Sequence, residues 1–401
     1  MKLLTFTTLY PNTEKPTQAI FVENRLRHLL SSGEVKSKVL APVPWFPLTD
    51  VRYGRYASFA RVPAKENRFG IDIVHPRYPL IPKIGMNVAP LLMAAAARAT
   101  IARMLDEGED FDLIDAHYFY PDGVAAVLLG KYFNKPVVIT ARGSDISLIP
   151  RHMVPRKQIQ WAARHVQAII TVCNALKAEL VALGVEAAKI TPLRNGVDLQ
   201  RFVPVDRTAL RLAMRLDGFT LLSAGHLLPV KGHDLVIASL PLLPDVTLLI
   251  AGDGAERAAL EHQARDLKVS DRVRFLGNLA QPELAHTYAA VDALVLASSR
   301  EGWANVLLEA MACGTPVVAS RVWGTPEVVA APEAGVLMPE RSARGVADGV
   351  NALRAVYPVR ADVRRYAEGF SWDETTAGQV RLFKEVLKLR NAAELPGISV
   401  A

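Results

Sequence analysis

Apolar positions along the chain fall into short unbroken runs rich in Val, Ile and Leu, separated by longer stretches whose apolar residues recur at helical spacing. In the first half, Leu3 to Thr8, Leu113 to His117, Val137 to Thr140 and Ala168 to Val172 predict strands. Between them, Gly123 to Phe133 predicts a helix after the Pro121-Asp122 start. Asn174 to Leu183 predicts another, opened by an asparagine cap and stopped by Gly184. The second half repeats this rhythm with strands at Thr220 to Ala224, Thr247 to Ala251, Val273 to Leu276, Ala293 to Ala297 and Pro316 to Ala319. Ser371, with Glu374 three residues on, has the capping-box pattern and predicts a last helix over 371–390. Alternation of strand and helix predicts α/β architecture with parallel sheets covered on both faces. The expected arrangement is two doubly wound, Rossmann-like domains facing each other across a deep interdomain cleft. The first spans 1–199, with the C-terminal helix at about 372–392 returning to it. The second spans 200–371, with a hinge near Val197 to Pro204. Ligands of such sheets bind beyond the carboxyl ends of the strands, which makes the cleft the expected site.

Composition narrows the picture. The 401 residues are 50% hydrophobic and 22% charged, which excludes disorder, collagen and coiled coil. Two cysteines, Cys173 and Cys313, give no disulfide framework, so a reducing cytoplasm is expected. The opening MKLLTFTTLYP suits a buried first strand better than a signal peptide. The longest uncharged stretch, Ile84 to Ala97, contains Pro90 and is shorter than the roughly 18 to 20 apolar residues that span a bilayer, so no transmembrane helix is expected. Charge is uneven: residues 1–200 carry 25 basic against 17 acidic residues, and 201–401 carry 22 against 23. A basic first half fits an anionic partner, either a phosphate-bearing substrate or an anionic membrane face. Nucleic acid is disfavoured, because basic and aromatic residues are not interleaved.

The densest candidate chemistry lies in Ala293 to Ser320, where a strand, a polar turn with Glu301-Gly302, a helix and Gly314-Thr315-Pro316 follow one another. Glu301 lies just past a strand end, and Gly302 permits close backbone approach. Amides near Asn305 and Val306 open a helix that can receive phosphate. Glu309, on the second turn of that helix, is placed to accept both hydroxyls of a ribose. Upstream, Gly225-His226-Leu227-Leu228-Pro229-Val230-Lys231-Gly232 leads from a strand into a helix and sets Lys231 as a phosphate cation. Ala251-Gly252-Asp253-Gly254 is a strand-end turn. There is neither a P-loop nor a G-x-G-x-x-G after the first strand, and no metal-ligand spacing of His, Cys and Asp.

In these residues the chain resembles the retaining family 4, or group 1, glycosyltransferases of the GT-B fold. The motifs occur in family order: Lys231-Gly232, Ala251 to Gly254, Phe275-Leu276-Gly277, Glu301-Gly302, and Glu309-Ala310-Met311-Ala312-Cys313-Gly314-Thr315-Pro316. Tyr10-Pro11, Phe21-Val22-Glu23, Pro121-Asp122-Gly123, Gly143-Ser144-Asp145 and Asn195-Gly196-Val197-Asp198 are similar to the branch that includes transferases of teichuronic acid and other cell-surface polysaccharides. The resemblance implies that Glu301 contacts the donor sugar, Glu309 the ribose and Lys231 the diphosphate. Gly302 and the backbone of Trp303, Ala304, Asn305 and Val306 would meet phosphate oxygens, and Phe275 to Gly277 would flank the base. Two positions depart from the pattern. His226 stands where relatives commonly carry Arg, which replaces a fixed charge with a titratable one. Arg142 stands where many carry a histidine facing the sugar; it either supplies that missing cation or pairs with Asp145 or Asp115. No glycine loop follows the first strand, where Thr17-Gln18-Ala19 stands. His117 and Asp145 are expected to bind acceptor hydroxyls. Met86, Leu91, Leu92 and Met93 form either an apolar acceptor wall or a core helix.

The expected activity is retaining transfer of a sugar from a UDP- or GDP-sugar, a substrate rather than a cofactor, to a saccharide or lipid-linked saccharide acceptor. No metal is expected. Lys231 and His226 would stabilise the departing diphosphate, at the cytoplasmic face of the inner membrane. Two alternatives stay open on the same fold: a sugar-nucleotide epimerase or hydrolase, and a non-catalytic sugar or nucleotide sensor.

Overall fold

The computed structural model describes residues 1–81 and 85–394 and divides into two compact units. Unit 1 holds 1–194 and the chain from Asp373 onward; unit 2 holds 195–372. In unit 1 the strands are β1 (Lys2–Phe6), β2 (Lys36–Leu40), β3 (Val43–Pro44), β4 (Lys65–Arg68), β5 (Ile71–Val74), β6 (Arg77–Tyr78), β7 (Leu113–His117), β8 (Val137–Ala141), β9 (Ala168–Thr171) and β10 (Ile190–Pro192). Eight of them form one sheet in the order β10-β9-β8-β7-β1-β2-β5-β4, parallel except for the edge pair β4–β5. β3 and β6 pair separately. Every residue of β7 and β8 is buried, the condition that makes a parallel strand read as mainly apolar, with Asp115, His117 and Thr140 as its buried polar exceptions.

Unit 2 contains β11 (Phe219–Ala224), β12 (Val246–Ala251), β13 (Val273–Gly277), β14 (Ala293–Leu296), β15 (Val317–Ala319) and β16 (Gly335–Leu337), in the order β13-β12-β11-β14-β15-β16 and all parallel. Strand order reverses between β1 and β7 in unit 1 and between β11 and β14 in unit 2. These are the switch points beside which doubly wound sheets bind ligands.

The final helix, Trp372–Glu394, lays Val380, Phe383 and Val386 into the unit 1 core with Leu3, Val22, Leu26, Leu113 and Val138. The unit boundary comes at Arg194/Asn195, five residues before the expected one. The Val197 amide donates to the Phe370 carbonyl, and Arg364 donates to the carbonyls of Leu199 and Phe202, so 195–202 is tied to the end of unit 2.

Two sequence expectations change. The helix Asn174–Ala182 begins at Asn174, with Cys173 in the cap position. No transmembrane helix was expected, yet by length and composition alone one helix is long and apolar enough to cross a membrane. Gly85–Asp106 has 22 residues and mean hydropathy 1.4 over its most apolar window, enough by that measure to cross a membrane. The uncharged run stopped at Arg98, whereas the helix continues through it. Its Met93, Ala94, Ala97, Ile101 and Met104 are buried at helical spacing, and Arg98 lies 5.1 Å from the Tyr132 ring, the pattern of a helix packed on its own unit. Met93 therefore belongs to the core, whereas Met86 and Leu91 are exposed. Ile84 lies outside the described residues.

Candidate functional site

In unit 2 the loops after β11 and β14 flank the switch point, and their functional side chains meet there. Lys231 Nζ lies 2.7 Å from Glu301 Oε1, although the two residues are 70 positions apart. Ser298 donates to the same oxygen at 2.7 Å. Backbone contacts fix the loops: the Ser299 amide donates to the Val230 carbonyl at 2.8 Å, and Gly232 sits with φ +71° directly against Ala297. A Cβ on Gly232 would lie 2.2 Å from the Ala297 carbonyl oxygen, so only glycine allows this approach. On the other side, Gly252 (φ +138°) passes so close to Gly225 that a Cβ would fall 1.9 Å from its carbonyl oxygen. The strand-end turn at Ala251 to Gly254 is thus a crossing of two backbones. The Gly277 carbonyl accepts from the Gly252 amide at 2.7 Å, which brings the end of β13 to the same edge, and Arg257 stacks on the Phe275 ring at 4.3 Å.

Helix Asn305–Ala312 starts beside this loop with no side-chain cap at Ala304. The Asn305 amide donates to the Trp303 carbonyl and the Leu307 amide to the Ala304 carbonyl. Of the backbone amides from Gly302 to Val306 expected to face phosphate, that of Asn305 is therefore engaged within the loop. Val306 stands in the first turn, where the helix supplies no acceptor of its own. Trp303 is buried, and its indole N–H has no partner. Glu309, on the second turn, is partly exposed; Tyr288 donates to its Oε2 at 3.0 Å. Burial pushes the Glu309 carboxyl up to about 7, against the lowering pull of the Tyr288 hydrogen bond and of Arg201. His226 is exposed at the mouth of the loop. Behind it His233 is buried, with Nδ1 2.8 Å from Ser223 Oγ and Nε2 3.3 Å from the His226 carbonyl. A carbonyl can only accept, so Nε2 carries the proton and Ser223 donates to Nδ1. Burial lowers the His233 pKa, which keeps this neutral form.

The unit 1 candidates are placed differently from expectation. Asp145 is fully buried and accepts from the Gly143 amide at 2.7 Å, the Phe119 amide at 2.6 Å and the Arg142 amide at 3.1 Å. Its carboxylate, expected to bind an acceptor hydroxyl, here organises the turns after β7 and β8 through these backbone amides. His117 is likewise buried between Asp115 Oδ2, 3.2 Å from its Nε2, and Arg142 Nη2, 2.6 Å from its Nδ1. Both ring nitrogens are engaged and burial lowers the ring's pKa, so His117, expected to bind an acceptor hydroxyl, is here held within the core of unit 1. Arg142 Nη2 donates to the His117 ring, and its guanidinium lies 5.5 Å from the Phe21 ring. Where a glycine loop is missing after β1, Ala19 takes up φ +49°, the left-handed backbone that glycine would adopt freely.

Comparison with known proteins decides what this arrangement belongs to. Residues 211–370 match the family described as glycosyl transferases group 1, and residues 79–201 match glycosyltransferase family 4. A D-inositol 3-phosphate glycosyltransferase of Mycobacteroides abscessus is 36% identical over 71% of this chain and 68% of its own. The chain is a group 1 glycosyltransferase. Its fold is GT-B. Sucrose-phosphate synthase from Thermosynechococcus elongatus superposes with a TM-score of 0.78 at 20% identity, over 97% of this chain and 99% of that one. The Anabaena protein HepE, solved in complex with UDP, gives 0.73 at 20% identity, over 96% and 100%.

Three residues at the edge of this glycosyltransferase's second sheet were missed in the sequence. Ser298 precedes Glu301 by three positions, the spacing of a side chain that can reach back across a turn. Tyr288 lies in the last turn of the helix Gln281–Ala290, 21 residues before Glu309, and only the fold brings them together. His233 directly follows Lys231-Gly232, and its neighbourhood was the available signal.

Proposed function

We propose that the protein transfers a sugar from a nucleoside diphosphate sugar to an acceptor hydroxyl with retention at the anomeric carbon. The Lys231–Glu301 contact at the unit 2 switch point carries this reading, because it holds a phosphate cation and a sugar-binding carboxylate 2.7 Å apart. In a front-face displacement the bond from the anomeric carbon to the diphosphate oxygen breaks, and the bond to the acceptor oxygen forms on the same face. The acceptor proton passes to the departing phosphate, so no dedicated base is required. Lys231, exposed His226 and the first turn of Asn305–Ala312 stabilise the diphosphate, which is work that a metal performs in other transferases. Glu301, freed from Lys231 as the diphosphate takes the cation, orients the sugar hydroxyls. Glu309 accepts the ribose diol.

Uridine is the favoured base, since a neighbour of this fold was solved with UDP. The name of the relative supports a phosphorylated polyol as one acceptor class. The basic first half and the similarity of its motifs to polysaccharide transferases support a saccharide or lipid-linked saccharide at the cytoplasmic membrane face, in cell-surface polysaccharide or glycolipid synthesis. The test is proton NMR of mixtures of UDP-glucose or GDP-mannose with inositol 3-phosphate or a lipid-linked oligosaccharide. A product with the donor's anomeric configuration supports the reading. An inverted product refutes retention, and donor consumption without acceptor assigns a hydrolase or epimerase.

A further inference from the structure

A tyrosine taken wholly out of water needs a hydrogen-bond partner for its hydroxyl inside the protein. For Tyr288, which is fully buried in unit 2, that partner is the Glu309 carboxylate, whose Oε2 accepts at 3.0 Å. Among the described residues Tyr288 is the one hydrogen-bond donor to this carboxylate. The ring is packed independently of that bond, with the Phe202 ring 6.0 Å away at 61°. Its backbone is fastened as well. The Tyr288 carbonyl accepts from Thr315 Oγ1 at 2.6 Å, and Thr315 Oγ1 accepts in turn from Arg360 Nη2 at 2.7 Å. The same guanidinium donates to the carbonyls of Ala289 and Val291, where helix Gln281–Ala290 ends, and of Cys313, where helix Asn305–Ala312 ends. One arginine, from the helix Arg360–Glu368, thus joins the carboxyl-terminal ends of the two helices that carry Tyr288 and Glu309. Such ends hold partial negative charge, so a cation between them is favourable.

A phenylalanine would fill the same space, so what the hydroxyl adds is its bond to Glu309. We infer that Tyr288, seated by Thr315 and Arg360, is a positioning residue: its hydroxyl fixes one oxygen of the Glu309 carboxylate and leaves the other for the hydroxyls of the donor ribose. Tyr288 touches no substrate itself and acts through Glu309. This deepens the proposed role of Glu309 and rests on it. A hydrogen bond given to an ionised carboxylate also favours that form. Burial pushes the Glu309 carboxyl up to about 7, while Tyr288 and Arg201 pull it down; Cys313 on the same helix faces it, with Arg360 and Arg364 beyond Cys313 on the helix packed alongside. Removing the hydroxyl therefore moves the titration of Glu309 upward, and the pH above which the donor binds well moves with it.

The experiment is calorimetric titration of the full-length protein with UDP from about pH 6 to 9, on the parent, Tyr288→Phe and Glu309→Gln. The expected result is that the rise of affinity with pH seen in the parent occurs in Tyr288→Phe at a pH about 1 to 2 higher. Glu309→Gln should bind weakly at every pH. A purely structural role for Tyr288 would weaken binding by the same factor throughout and leave the midpoint in place. That outcome, or identical profiles for Tyr288→Phe and the parent, overturns the proposal, while a weak Glu309→Gln keeps the ribose contact standing. If Glu309→Gln binds as the parent does, the ribose contact and the proposal fall together. Thr315→Val and Thr315→Ser carry the test where Tyr288→Phe does not fold. Loss of the Thr315 hydroxyl should raise the midpoint and the serine should restore it; equal midpoints in the two variants overturn the proposal.

Discussion

Replacing Glu309 with Gln should stabilise the unliganded protein and, if Glu309 accepts the ribose as proposed, weaken the donor, because burial disfavours the charged carboxylate. Its pKa of about 7 lies above the ordinary value of 4.5, so the folded protein holds this proton more tightly than the unfolded chain. Stability from this group is therefore greatest at low pH. It falls as pH rises from 4.5 to 7 and is flat above 7. The full span amounts to about 3 kcal/mol at most, and less because part of the side chain stays in water. The Glu309→Gln variant would lose that slope while its amide oxygen still accepts from Tyr288, raising stability at pH 8 and leaving it unchanged at pH 4.5. Binding runs the other way. A hydrogen bond to a charged acceptor is worth about 1.5–3 kcal/mol, so losing one raises the donor Kd by about 10- to 150-fold. In the parent protein the Kd should rise about tenfold between pH 8 and pH 6 as the carboxylate is protonated. Calorimetric titration with UDP at both pH values, beside urea unfolding of both proteins, reads every term. A Glu309→Gln variant that binds within twofold of the parent, with the parent's own affinity flat from pH 6 to 8, would refute the reasoning.

Lys231→Met should lower kcat by about 10²- to 10³-fold in the transfer assay, since it removes the cation facing the leaving diphosphate and strands Glu301; an unchanged kcat contradicts the role. Gly252→Ala should cost more than about 2 kcal/mol by chemical denaturation, because its Cβ has no room against the Gly225 carbonyl. Asp145→Asn and His117→Gln should lower the melting temperature but leave the acceptor KM of the folded enzyme unchanged; a selective rise in KM would restore them as acceptor ligands. Transfer should survive excess chelator, and a rate abolished by EDTA and restored by magnesium would refute metal independence.

Much of this organisation was legible in the sequence, for a physical reason. Strands buried on both faces are rich in Val, Ile, Leu and Ala, so β7, β8, β11, β12 and β14 announced themselves within a residue or two of their ends despite buried polar residues such as Asp115 and Ser223. Lys231 and Glu301 could be singled out separately, since each follows a strand end. Their contact depends on β11 pairing with β14, a long-range choice that local spacing does not encode. Position at a strand end also says nothing of depth. His117 and Asp145 have the right location, yet they are buried, and Asp115, Phe119, Arg142 and Gly143 engage their polar atoms. The unit boundary was displaced because the Val197 amide finds its acceptor at Phe370, 173 residues later.

The central claim is that the edge of the second sheet binds a nucleoside diphosphate through Lys231 and Glu309. Thermal stabilisation of the purified protein by UDP, GDP, ADP and NAD tests it most directly, with Glu309→Gln measured alongside. Ligand at about a hundredfold its Kd should stabilise by about 2.7 kcal/mol. The account predicts a shift with one nucleoside diphosphate, UDP foremost, that is largely lost in the variant. A shift with NAD alone, or none across the panel, would contradict it.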